Sequence, residues 1–308
     1  MTMPNFLIIG SGKGGTSALY RYLKQHPQIY MSPVKEPRFF AFEGATLDFV
    51  GPGDKKTINR TTITSLEAYR SLFEEVKNEK AIGEASPLYL YMPKAPERIQ
   101  HYIPNAKLIA ILRNPVDRAY SHFLHLIRDG HEPLTDFSQA LREEKTRIQK
   151  NWAPHWYYQE RGFYYVQLKR YFDLFEQHQL KVYLYEDLRD NPIGLIENIF
   201  QFLEVDDTFV PDISVKYNVS GIPQNKGLHS LYKFLKNPSM VKSMFRPFLP
   251  KKLRQQLHQN ILNNPQNWNL IKPKLSPEVR SELMEVYRED ILNLQKLIQR
   301  DLSAWLET

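Results

Sequence analysis

Short apolar runs alternate along this chain with stretches of helical periodicity. Phe6–Ile9 is an apolar run closed by Gly10, the pattern of a buried strand. Gly10–Ser17 is rich in glycine and hydroxyl residues. From Thr16 to Gln25, residues Ala18, Leu19, Tyr22 and Leu23 share one helical face, and Pro27 ends the segment. Ile29–Met31 reads as a second strand. Strand, glycine-rich turn, helix and strand in this order open a parallel α/β sheet. Further strands are predicted over Ala81–Ala85, Leu108–Leu112 and Val182–Tyr185. Leu108–Leu112 is so continuously apolar that it suits a central position covered on both faces. Helices are predicted over Pro93–Ile103, Val116–Ile127, Gly162–Gln177 and Pro192–Leu203. Thr64-x-x-Glu67 has the spacing of a capping box for a helix reaching Val76. Residues 43–63, with several Gly and Thr, read as an excursion from the sheet. Beyond residue 235 the chain turns helical and basic. Its last stretch, Pro277–Trp305, carries Leu283, Val286, Tyr287, Ile291, Leu294 and Ile298 on one stripe, which packs against the rest. No repeat or low-complexity linker interrupts the pattern. The expected architecture is a single α/β domain over residues 1–308: a central parallel sheet flanked by helices, with about 235–308 as its helical C-terminal portion.

Composition narrows the function classes. Of the 308 residues 42% are hydrophobic, enough for a full core. The formal charge of +7 favours anionic ligands, namely nucleotides, nucleic acid, acidic glycans or a membrane surface, without choosing among them. The absence of cysteine excludes disulfides, thiolate-bound zinc and thiol chemistry, and suits a reducing compartment. No apolar run approaches the roughly 18–20 residues of a membrane helix, and Phe6–Ile9 is too short for a signal-peptide core. A cytoplasmic protein without membrane insertion is expected. The nine histidines are scattered; His122 and His125, three apart on a predicted helix, read as surface or packing residues, and no metal site is expected.

The segment Gly10-Ser-Gly-Lys-Gly-Gly-Thr-Ser17 lies between a predicted strand and a predicted helix. There, bare backbone N–H groups and the positive end of the helix dipole can surround an anion. Lys13 adds a charge; Gly14 and Gly15 leave the backbone open; Thr16 and Ser17 add hydroxyl donors. An ATP-type loop would need lysine at 16, where threonine stands, so a kinase-like phosphotransferase fits poorly. Gly10, Gly12 and Gly15 satisfy a dinucleotide fingerprint literally. The position after the second strand, where that fingerprint wants an acid, is Ser32. A non-catalytic nucleic-acid-binding protein, motivated by charge and aromatics, lacks a basic helix or a ribonucleoprotein-type motif. Leu108–Leu112 delivers Arg113 at the carboxyl edge of its strand, where open α/β sheets bind ligands. Pro115 then starts a helix, and Ser121 lies eight residues beyond Arg113. An arginine with a serine hydroxyl is a reasonable grip on a second phosphate.

Together these motifs resemble those of the sulfotransferases that use 3′-phosphoadenosine 5′-phosphosulfate (PAPS), most closely the glycan-modifying heparan sulfate N- and O-sulfotransferases. Gly10, Lys13, Gly15, Thr16, Ser17 and Leu19 fall in register with the family's 5′-phosphosulfate loop. Arg113 and Ser121 fall on its 3′-phosphate site, within Arg113-Asn-Pro-Val-Asp-Arg-Ala-Tyr-Ser121. The resemblance runs from Phe6 to about Gly227. It implies a sulfuryl transferase with PAPS as co-substrate, 3′,5′-adenosine bisphosphate (PAP) as product, no metal, and a glycan or small-molecule acceptor rather than nucleic acid. It implies Lys13 at the leaving oxygen and Glu36, in Glu36-Pro-Arg-Phe-Phe40, as the base. The neighbouring Lys35 and Arg38 should hold Glu36 ionised and can also face an anionic acceptor. Gly83-Glu-Ala-Ser-Pro87 resembles a family element on the cleft floor, with Ala85 where several glycan enzymes carry lysine. Glu84 and Ser86 are its expected acceptor contacts. Lys226 and Gly227 resemble the loop that closes on the nucleotide, and Glu186-Asp-Leu188 a structural element. Trp152, Trp156, Tyr157, Tyr158, Phe163, Tyr164 and Tyr165 can stack on a sugar or adenine, or form core.

Overall fold

The computed structural model describes residues 2–214, 221–223 and 270–307. Lys226 and Gly227, and residues 235–269, lie outside the described residues. Five strands, β1 (Phe6–Gly10), β2 (Ile29–Met31), β3 (Ala81–Ala85), β4 (Lys107–Leu112) and β5 (Leu180–Leu184), form one sheet in the order β2-β3-β1-β4-β5. Every pairing is parallel. The helices around it include α1 (Thr16–Leu23), α2 (Phe39–Phe42), α3 (Ala95–Tyr102), α4 (Pro115–Arg128), α5 (Tyr164–Phe172), α6 (Tyr185–Asp190), α7 (Pro192–Leu203) and α8 (Pro277–Ile298). Two further short strands, β6 (Ile222–Pro223) and β7 (Leu270–Ile271), pair antiparallel apart from the main sheet.

Alternation along the strands builds two cores, one on each face. Phe6 and Ile8 of β1 and Ile109 and Ile111 of β4 pack with Leu19 and Leu23 of α1 and Ile196, Ile199 and Phe200 of α7. Leu7, Ile9, Leu108, Ala110 and Leu112 face the other way, into a core shared with α4, α5 and α8. Both faces of β1 and β4 are therefore dry, which is what their unbroken apolar runs predict. The chain leaves β1 for β2 at one edge, returns to β3 and then crosses to β4. The reversal of direction opens a crevice at the carboxyl ends of β1, β3 and β4.

Several expected boundaries move. The helix after residue 64 is capped by Ser65, whose Oγ accepts from Ala68 N, and gives way after Arg70 to a short 3-10 turn, so it stops before Val76. The helix expected over Gly162–Gln177 contracts to α5, because Gly162 is pressed against the Tyr287 ring and sits in a separate turn. Pro277–Trp305 is helical only to Ile298: Gln299 takes a left-handed conformation, and Trp305 follows on a short turn. On α8 the residues Leu283, Tyr287, Ile291 and Leu294 are buried, whereas Val286 is 43% exposed and falls off the stripe. Among the described residues, no helix is long and apolar enough to cross a membrane.

Gly83 shows how tightly β3 and β1 are matched. It pairs with Phe6, and a Cβ at this position would stand 2.3 Å from the Phe6 ring. Gly83→Ala is expected to destabilise the fold by about 2 kcal/mol through overpacking. Denaturant midpoints check this; an unchanged midpoint would mean that the Phe6 ring turns aside freely.

Candidate active site

The loop after β1 is fastened to β4 before it turns. Ser11 donates its backbone N–H to the Ile111 carbonyl at 2.8 Å, and its Oγ donates to the same oxygen at 3.2 Å. A Cβ on Gly14 would lie 2.3 Å from that carbonyl oxygen, so only glycine lets the backbone pass. Gly15, at φ 109°, has the left-handed conformation that starts α1, with no side chain capping the helix. Among the described residues, the N–H groups of Gly15, Thr16 and Ser17 donate to no backbone carbonyl. They are the free donors of a helix N-terminus, aimed where an anion would sit.

Lys13 occupies the turn at φ 72°, a conformation that is uncommon outside glycine. Its ammonium has a pKa lowered to about 7: burial dominates, Arg128 and Arg113 add repulsion, and Asp129 only partly compensates. This is a cationic site short of negative charge.

Arg113 follows directly on β4. Its guanidinium lies over the Tyr185 ring at 4.7 Å and reaches toward the Lys13 carbonyl at 3.5 Å. Asn114 caps α4 by accepting from Val116 N at 3.0 Å, and its Nδ2 donates to the Trp305 carbonyl at 3.1 Å. Ser121 is fully buried on α4 and does not line the cleft, while Arg113 does. Asp117 pairs with Arg280, and the buried Arg118 donates to the Tyr158 carbonyl, so both act structurally.

Glu36 is held on the opposite wall. Its N–H donates to the Ala85 carbonyl at 3.1 Å, and Arg38 N donates to Ser86 Oγ at 3.1 Å, which seats the turn on the end of β3. Lys35 Nζ donates to Glu36 Oε1 at 2.8 Å and Arg38 Nη2 to Oε2 at 3.1 Å. Burial would raise the Glu36 pKa, but the two cations override it and hold the carboxyl well below the usual range. Glu36 and Arg38, like Lys13, have positive φ, at 61° and 58°. Glu204 and Gln299 share that conformation as helix C-caps and Asn151 shares it in a turn, where asparagine tolerates it, which leaves the cluster at 13, 36 and 38 as strain concentrated around one cleft.

Glu84 and Ser86 do not meet the cleft as the sequence reading expects. Both have no exposed surface. Ser86 anchors the Arg38 backbone, and Glu84 accepts from Tyr89 OH at 2.5 Å beneath it. Burial raises the Glu84 pKa to about 7. They position the Glu36 turn because the strand alternation that makes β3 central turns them inward.

The cleft, about 930 Å³, brings together Lys13, Gly15, Thr16, Ser17, Lys35, Glu36, Arg38 and Arg113. It also gathers residues the sequence reading placed elsewhere. His122 and His125, expected as surface or packing residues, both line the cleft, and His122 is also buried. Burial, then Arg161 and Arg118, keep His122 well below its usual pKa and neutral. Tyr185, next to the end of β5, could have been found by the same carboxyl-edge rule that singles out Arg113. Arg161 and His155 enter from the segment between α4 and α5, and nothing in their local pattern marks them. The excursion at 43–63 supplies Thr57 and Ile58 to the cleft wall. It is tied down by buried Asp54, which accepts from Gly51 N, Ala153 N and Trp156 Nε1. Trp156, Tyr158 and Tyr164 have no exposed surface and are core, not stacking platforms.

Comparison with known proteins identifies the family of the chain. The chain matches the Sulfotransferase family over residues 4–209. It is 27% identical over 318 aligned residues to the bifunctional heparan sulfate N-deacetylase/N-sulfotransferase 4 of Mus musculus, covering 99% of this chain and 31% of that protein. It is 34% identical over 120 residues to the heparan sulfate glucosamine 3-O-sulfotransferase 6 of Homo sapiens, covering 39% of this chain and 30% of that one. The chain thus spans about a third of the length of these curated relatives. The crystal structure of a sulfotransferase from Alicyclobacillus acidocaldarius superposes over the whole of both chains with a TM-score of 0.77 at 35% identity. With its five-stranded parallel sheet, its flanking helices and its phosphate-type loop after β1, the chain belongs to the sulfotransferase family.

Proposed function

We propose that this chain transfers a sulfuryl group from PAPS to a hydroxyl or amine of a carbohydrate acceptor. The observation that carries the reading is the pairing of two cationic grips, Lys13 in its loop and Arg113 at the end of β4, with an ionised carboxylate across the same cleft. A donor phosphorylated at both ends uses both grips; ADP or a dinucleotide leaves one idle. The names of the relatives support the carbohydrate acceptor.

In this reading the free N–H groups of Gly15, Thr16 and Ser17 and the Lys13 ammonium bind the 5′-phosphosulfate. Arg113, with Tyr185 behind it, binds the 3′-phosphate, while the buried Ser121 two turns into α4 lies behind the cleft wall. Glu36 takes the acceptor proton as the acceptor attacks sulfur in line. Lys13 meets the charge that grows on the leaving phosphate oxygen. The clamp on Glu36 imposes a condition. A carboxylate held this low is a weak base. The acceptor must therefore take over one of its two ion pairs before the proton can move. Lys35 and Arg38 are for that reason acceptor-side residues as well as partners of Glu36.

Three outcomes follow from these assignments. By titration calorimetry, PAP binds in the micromolar range, roughly 8 kcal/mol, with ADP much weaker, and Arg113→Ala removes the difference. No preference over ADP would refute the two-grip reading. Glu36→Gln lowers kcat for transfer from PAPS to de-N-sulfated heparan fragments by about 100-fold or more while leaving PAP affinity within a few-fold. A variant as fast as the parent would remove Glu36 as the base. Lys13, with its free-chain pKa lowered to about 7, is mostly neutral at pH 8, and an anionic ligand raises that pKa. PAP binding at pH 8 is therefore accompanied by proton uptake, read as a dependence of binding heat on the buffer's ionisation enthalpy, and affinity falls as pH rises through 7. Lys13→Met abolishes the uptake; uptake that persists in this variant would assign it to another group.

A further inference from the structure

Arg161 lies in the short turn Glu160–Gly162 ahead of α5. It is only 7% exposed and it lines the cleft. Its Nη2 stands 2.9 Å from where a Cβ on Gly12 would be, so a side chain at position 12 would push the guanidinium aside. The guanidinium makes no hydrogen bond or ion pair with any described residue. The buried Arg147, by contrast, is held by Glu132 through two bonds of 2.8 Å. A buried cation without a partner is costly and persists where something else supplies the negative charge. Its strongest electrostatic neighbours are the repelling Arg118 and the attracting Glu36, while burial and Arg118 lower its pKa only to about 10, so it remains charged at neutral pH. The group is thus a fixed positive charge at the junction of the donor loop, at Gly12, and the proposed base.

We propose that Arg161 is a catalytic residue whose guanidinium hydrogen-bonds the non-bridging oxygens of the sulfuryl group during transfer. This rests on the sulfuryl-transfer reading above. In that step an electron pair of the acceptor oxygen or nitrogen forms the new bond to sulfur. The bond from sulfur to the bridging oxygen breaks, and its pair stays on the 5′-phosphate. The acceptor proton goes to Glu36, and Arg161 exchanges no proton. Lys13 serves the bridging oxygen, and the N–H groups of the loop serve the phosphate. The sulfuryl oxygens need a donor of their own, and a planar fork of N–H groups fits two of them at once. Gly12 keeps the space between loop and guanidinium clear.

The test separates binding of the sulfuryl group from binding of the rest of the donor. PAP has no sulfuryl group. Arg161→Met is therefore expected to bind PAP within about threefold of the parent while kcat falls 100-fold or more, the loss seen when one transition-state donor is removed. Arg161→Ala is expected to recover part of its kcat when millimolar guanidinium is added. If Arg161→Met or Arg161→Ala fails to fold, Arg161→Lys decides, since it keeps the charge but not the fork: a loss of at least 10-fold in kcat with PAP affinity kept is expected. A kcat within threefold of the parent in the folded variants, or PAP affinity falling in step with kcat, would overturn the assignment. If instead the parent itself neither prefers PAP over ADP nor transfers sulfuryl from PAPS, the sulfotransferase reading fails and not the placement of Arg161 alone.

Discussion

The parallel pairing of β1 with β4 is the constraint on which the cleft depends. Gly10 pairs with Ala110, and one residue further on Ser11 is fastened by N–H and hydroxyl to the Ile111 carbonyl. Two chain segments 100 residues apart then leave the sheet side by side, and Arg113 reaches toward the backbone of Lys13. When Lys13 is protonated, two positive charges share a partly desolvated crevice, where the mutual repulsion is stronger than it would be in water. Burial above all, then Arg128 and this repulsion from Arg113, lower the pKa of Lys13. An anionic ligand reaching both strand ends would relieve the repulsion. The sheet register thereby sets the two cations side by side before any ligand arrives.

The acidic side of the cleft is built differently. Glu36 stands on a turn that borrows its support from the end of β3, through Ala85 and the hydroxyl of Ser86. Beneath it, Glu84 and Tyr89 form a buried polar floor. The turn holds Glu36 and Arg38 in left-handed conformations that cost on the order of 1 kcal/mol each. The cooperative sheet beneath them offsets that cost. The result is a carboxylate clamped between two cations and facing the phosphate loop, where a free surface glutamate would turn toward solvent.

The far end of the chain supports the donor side. Trp305 is buried and offers its carbonyl to Asn114, the residue that caps α4 directly after Arg113. Arg300 forms two bonds to Asp187, whose other role is to accept from Leu184 N at the start of α6. Leu188 of that helix covers Gly15. The last residues of the chain thus hold in place both the arginine at the end of β4 and the loop after β1. The stripe on α8 serves this purpose by docking the segment against α5.

The strands, the helix after each motif and the glycine turn were legible from the sequence, because each rests on contacts within a few residues; motifs singled out Lys13, Glu36 and Arg113, but only the packed sheet brings them to one cleft. An apolar run, a helix start or a glycine at φ 109° is dictated by local sterics and hydrogen bonding. What the tertiary structure alone decided was which polar side chains face the cleft and what charge state they have there. Ser121 turned inward while His122 and His125, on the same helix, faced the ligand space. Glu84 and Ser86 went beneath the floor rather than onto it. Arg161, with no motif around it, arrived opposite Gly12. Helical periodicity tells which residues share a face, but not what that face meets. Burial and neighbouring charge come from segments far apart in the chain, so the lowered pKa of Lys13 and the guanidinium of Arg161, unpaired among the described residues, exist only once those segments have packed together.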